Sequence, residues 1–237
     1  MGGESPRPRP AAVAEIEATP RGAGMSGYQF DVFISYARGG RTEDFALRLR
    51  SELETALNDH FGRRTQGSRV FLDQHSTQAG GDVDARICGG LRGSAVLLAL
   101  LSDGYCGRPW CVREARTFRL REQEIGWSGD DPQAPALLYP LVAGPLDPTN
   151  LPADLCGVLR SQSWETSGRL RKSKPWSKLV HENYRLSQNT RDFYDAVAGL
   201  AAVLAHCVRQ APAPQGWPIA PLPDWKNPAG PRPIGAP

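Results

Sequence analysis

AVLLALL, residues 95–101, is the longest unbroken apolar run in the chain, set between Gly93-Ser94 and Ser102-Asp103-Gly104. A strand with one wet face alternates apolar and polar residues, whereas a strand covered on both faces reads as a continuous apolar run. The run is far too short to span a bilayer, which takes about 20 residues. It predicts a central strand of a parallel sheet. Working outward, FDVFIS (residues 30–35) and RVFL (residues 69–72, closed by Asp73) read as strands, as does the stretch 137–142. Between them lie helical stretches. Residues 42–59 carry Phe45, Leu47, Leu49, Leu53, Ala56 and Leu57 as an apolar face. Residues 82–91 place Val83, Ile87 and Leu91 four apart, and residues 110–124 and 190–207 give two more helices. Strand alternating with helix predicts a parallel sheet with helices on both faces.

The 237 residues are 40% hydrophobic with a formal charge of +3. That balance supports one sizeable core and does not by itself imply a nucleic-acid partner. Five cysteines (Cys88, Cys106, Cys111, Cys156, Cys207) contain no CxxC pair and no histidine at zinc spacing. They read as reduced thiols, with no metal site. No signal-peptide layout opens the sequence, and Pro6 stands where a myristoylation signal requires Ser or Thr. The expected address is the cytoplasm. Residues 1–26 and 208–237 are proline-rich, and proline interrupts both sheets and helices. They are expected to be disordered tails flanking one domain over residues 27–207, and to be dispensable for folding. Trp217 and Trp225 count against that reading of the second tail, because exposed tryptophans usually pack on something.

In such sheets ligands bind beyond the carboxyl ends of the strands. Those ends are Ser35-Tyr36-Ala37-Arg38, Asp73 and Ser102-Asp103-Gly104-Tyr105, all expected on one rim.

Three boxes carry a family resemblance. FDVFISYA (residues 30–37), FLD (residues 71–73) followed by Gly80-Gly81, and LLSDGYCGRPWCVREA (residues 100–115) occur in order at element boundaries. Together they resemble the Toll/interleukin receptor (TIR) domain. The resemblance is close over about residues 28–145 and loose from there to 207. It implies a flavodoxin-like, doubly wound sheet of about five strands. Gly80 would lie in the family's BB loop, although the stretch QHSTQAGGDVD lacks the proline usual there. Phe45 stands where many TIR domains have tryptophan, and Gly129-Asp130-Asp131-Pro132 lengthens the next connection.

Trp110 and Glu114 fall one helical turn apart. The resemblance implies that Glu114 is the catalytic residue of TIR domains that cleave NAD+, which is substrate and not cofactor. Breaking the ribose–nicotinamide bond passes through an oxocarbenium-like state. Nicotinamide leaves neutral from a pyridinium, so no acid is required, and one carboxylate near the ribose suffices. The plainer alternative is an exposed rim glutamate paired with Arg113 or Arg116. Arg38 is either a bidentate phosphate ligand or a surface arginine beside Gly39-Gly40. Tyr36 and Trp110 either flank a ring of the substrate or pack in the core, with Tyr105 on the same rim. Ser35 and Ser102 either cap backbone groups or touch substrate, and Asp73 is expected to orient the BB loop.

Other features read blandly. The basic residues around Pro175-Trp176, from Arg169 to Lys178, suit a solvated loop better than an RNA site. His75 and His181 have no carboxylate or serine arranged with them for nucleophilic catalysis, and no P-loop or GxGxxG is present. The expected function is NAD+ glycohydrolase or cyclase activity as a signalling or defence output, in a bacterium if the Gly, Pro, Ala and Arg content reflects its genome. The alternatives are a non-enzymatic scaffold pairing with other TIR domains, or a regulatory TIR-like protein of another pathway. The expected partners are TIR domains, by self-association, or a sensor protein, with no membrane.

Overall fold

The computed structural model describes residues 27–63, 67–73, 83–127, 135–155 and 187–223. Four strands, β1 (Phe30–Tyr36), β2 (Val70–Leu72), β3 (Ser94–Leu101) and β4 (Leu138–Val142), form a parallel sheet in the order β2-β1-β3-β4. The expectation was about five, and four lie among the described residues. The central pair aligns Val32 with Val96 and Tyr36 with Leu100. β3 is buried at every position, as its unbroken apolar run requires.

Among the described residues, the sheet is accompanied by the α-helices α1 (Gly40–Phe61), α2 (Val83–Gly93), the single turn α3 (Asp103–Cys106), α4 (Pro109–Glu124) and α5 (Ser187–Gln210). The expected elements recur with ends moved by a few residues. α1 buries Phe45, Leu49, Leu53 and Leu57, spaced four apart. Leu47, expected on that face, is 41% exposed because two residues past Phe45 lies off the stripe.

Strand alternation assigns the faces. Phe33 and Ser35 point the same way from β1. Phe33 stacks on Phe71, whose ring lies against Gly90 of α2 so closely that any Cβ there would meet it at 2.6 Å. Ser35 reaches α4. α2 and α4 therefore cover one face, while α1 and α5 pack together over β1 and β3 on the other.

The expected boundary at residue 207 needs correction. α5 runs on to Gln210, with Val208 buried. Residues 211–223 then lie along the domain as extended chain, burying Trp217 and Ala220 to 2% exposure each. Proline forbids strand and helix but not extended packing, and a stiff segment loses little entropy on docking. The first tail, residues 224–237 with Trp225, the connection at 129–132, the basic segment, His75, His181, Cys156 and Gly80-Gly81 all lie outside the described residues. Among the described residues, no helix is long and apolar enough to cross a membrane.

Candidate active site

Because the strands are parallel, β1, β2 and β3 all end on one rim, and α4 begins there with Pro109 at its first turn. The rim holds a cleft of about 290 Å³ between the end of β1, the start of α2 and the first turns of α4. Tyr36, Arg38, Trp110 and Glu114 line it, as the sequence suggested. So do Val83, Ile87, Arg108, Pro109 and Cys111, which sequence reasoning did not select. Arg108 had a readable signal, since it directly precedes the first turn of a helix that starts at the strand ends. It has no ion-pair partner among the described residues and is exposed.

Glu114 is no rim glutamate. It is 7% exposed, and the arginines proposed as its plain partners are engaged elsewhere. Arg113 pairs with Asp84 at 2.7 Å and Arg116 with Asp154 at 2.8 Å. Ser35 Oγ donates to Glu114 Oε2 at 2.5 Å. Among the described residues, Ser35 is the side chain hydrogen-bonded to the Glu114 carboxyl, which lines the cleft. Burial pushes the Glu114 pKa up to about 7, and the charge of Asp73 adds to this. The Ser35 hydrogen bond and the cations Arg38 and Arg113 act against the rise.

The remaining sequence candidates separate into three groups. Ser35 and Tyr105, each 1% exposed, lie behind Glu114 and not on the cleft wall. Ser102 caps α3, accepting from the Tyr105 amide at 3.2 Å. Asp73 bridges Arg38 and Arg86 instead of lining the cleft. Arg38 is therefore a tethered cation. Trp110 is half-buried, lining the cleft while packing against the edge of the core, with the Arg113 guanidinium 5.1 Å from its ring centre. Cys111 lies buried with its thiol pKa raised by desolvation, then by Glu114, so it is poorly suited to act as a nucleophile.

α4 is held from behind. Arg113 Nε donates to the Ala220 carbonyl at 2.8 Å, and Thr117 Oγ1 accepts from the Ala220 amide at 3.1 Å. The C-terminal segment thus fastens the helix that carries Trp110 and Glu114.

Residues 32–140 match a family model described as a TIR domain. Among solved structures, the chain is similar to the TIR domains of the activated Roq1 resistosome directly recognizing the pathogen effector XopQ. That similarity has 15% identity and a TM-score of 0.33, covering 76% of this chain and 96% of the other. No curated protein sequence matches the chain.

Proposed function

We propose that the TIR domain carried by residues 32–140 cleaves the ribose–nicotinamide bond of NAD+, with Glu114 as its catalytic carboxylate. The observation that carries this reading is a buried carboxylate on the wall of an aromatic-lined cleft, with one oxygen held by Ser35. Such an oxygen, held in a water-poor site, stabilises a developing ribosyl cation without reorganising. The nicotinamide leaves with the bonding electrons and becomes neutral. Water then adds to the ribosyl carbon, giving ADP-ribose and one released proton. Trp110 and Tyr36 supply flat apolar surface for the departing ring. Arg108 at the cleft mouth supplies a cation for the pyrophosphate that follows the ribose.

The decisive experiment incubates the full chain with NAD+ and follows free nicotinamide. No nicotinamide at any protein concentration would overturn the enzymatic reading in favour of the scaffold. Activity per molecule should rise with protein concentration. A cleft of about 290 Å³ stands at the small end of ligand sites, leaving part of a dinucleotide for a second copy to cover. Constant specific activity over a hundredfold dilution would argue that each monomer holds a complete site.

Arg108→Ala should raise KM for NAD+ by about tenfold with kcat little changed, the pattern of lost uniform binding. Nicotinamide riboside, which lacks phosphate, should be cleaved equally by both proteins. An equal loss on both substrates would remove Arg108 from the phosphate role.

A further inference from the structure

We propose that Ser35 and Tyr105 form a reversible hydrogen-bond chain behind Glu114, one that accepts its carboxyl in either protonation state without moving a heavy atom. This deepens the reading of Glu114 as the catalytic carboxylate, and Tyr105 becomes a positioning residue for it.

The geometry fixes where the hydrogens go. Tyr105 Oη donates to the Cys111 carbonyl at 2.9 Å, and a carbonyl has no proton to return. Ser35 Oγ lies 2.8 Å from Tyr105 Oη and 2.5 Å from Glu114 Oε2. When Glu114 is ionised, the serine hydrogen turns to the carboxylate. When Glu114 is protonated, it donates to Ser35, whose own hydrogen turns to the phenol oxygen. The phenol hydrogen stays on Cys111 throughout. Both arrangements leave no buried donor idle, and only one hydroxyl rotates between them. Ser35 and Tyr105 are each 1% exposed and lie off the cleft wall, so water does not substitute for a missing partner on either hydroxyl.

Ser35 thus serves the ionised form and Tyr105 the protonated form. Tyr105→Phe leaves the serine hydrogen stranded whenever Glu114 is protonated, so the Glu114 titration midpoint should fall by about one pH unit. Ser35→Ala deprives the carboxylate of its donor, so the midpoint should rise by a similar amount. The titratable and charged groups around Glu114 are Tyr36, Arg38 and Asp73 on the strand side, with Tyr105, Arg108, Cys111 and Arg113 on the helix side. Ser35→Ala leaves every one of them in place and Tyr105→Phe removes only a neutral phenol, so opposite shifts isolate the hydrogen bonds. A merely structural role, in which either variant loosens the site and admits water, would move both midpoints downward.

The experiment is a carbon-13 titration of the full chain, read at the Glu114 carboxyl carbon in the parent and both variants. In the parent, the Tyr105 phenol carbon should move with the same midpoint, because its oxygen gains a donor as Glu114 takes up a proton. This measurement needs no variant to fold. Opposite shifts, or a common midpoint in the parent, support the chain. Shifts of one sign, or a Tyr105 signal that ignores Glu114, overturn it. The titration is read without substrate, so a protein that cleaves no NAD+ can still show the chain, and the two readings fail separately.

Discussion

Trp217→Ala should lower unfolding stability by about 3 kcal/mol, the lower part of the range for removing a buried indole. Trp217 is 2% exposed, and its indole N–H donates to the Tyr28 hydroxyl at 2.8 Å, tying the C-terminal segment to a residue two before β1. The Arg121 guanidinium lies 5.6 Å from the same ring. Arg121 is fully buried and bonded to the Leu91 and Ser94 carbonyls, and burial lowers its pKa to about 10. Removing the indole lets water reach that cation, which offsets part of the lost packing. Trp217→Phe keeps most of the apolar contact and should cost about half as much. Denaturant titration of the parent, both variants and a chain ending at Gln210 provides the measurement. The shortened chain should match or exceed the loss of Trp217→Ala. If it unfolds with the parent's midpoint, residues 211–223 do not dock in solution, and the expectation of a dispensable tail stands after all.

The loss should also reach the cleft. Ala220 is bonded on both its amide and its carbonyl to α4, through Thr117 and Arg113, and the Arg113 guanidinium lies over Trp110. Undocking the segment frees Arg113 from one of its restraints. On the same helix Trp110 stands three residues before Arg113 and Glu114 directly after it.

The sequence made this architecture readable where packing and polarity agree. β3 is buried on both faces and is apolar throughout, so its reading needed no further knowledge. The rim followed from the parallel topology. α4 shows where such reading stops. Its buried face includes Glu114, Arg121 and Glu122 among apolar neighbours, so hydrophobic spacing under-reports what it covers. Each charge is tolerated for a reason invisible along the chain. Glu122 accepts the Leu137 and Leu138 amides at 2.8 and 3.0 Å, and Arg121 holds two carbonyls. The spacing of Trp110 and Glu114 gave a common side of the helix but not which way it faced, which is why Glu114 read as a rim carboxylate. One signal was available. Ser35 shares the face of Phe33 by strand alternation, so a hydroxyl aimed into the helical layer calls for a polar partner there. Trp217 offered only its identity, because nothing in a proline-rich stretch specifies the groove that receives it.

Glu114→Gln should lower turnover of NAD+ by about a hundredfold or more while leaving KM nearly unchanged. The amide keeps the shape and still accepts from Ser35, so the ground state is bound as before. The negative charge that meets the ribosyl cation is lost, and that charge acts mainly in the transition state. Stability should move the other way. In the folded chain the carboxyl titrates near 7, against an ordinary value of 4.5. The folded state therefore binds the proton more tightly than the unfolded state between those values. Stability of the parent falls as pH rises through that window, by on the order of 3 kcal/mol, and is level above it. Glutamine carries no such dependence. The variant should unfold like the parent near pH 4 and become the more stable protein by pH 8, with the gap opening between about 4.5 and 7. A buried carboxyl kept at the expense of stability on a cleft wall supports a functional role for it. Unchanged turnover would remove Glu114 from the chemistry. A stability difference that does not vary with pH would show that the carboxyl is hydrated, and the preorganised site argued from its burial would not exist.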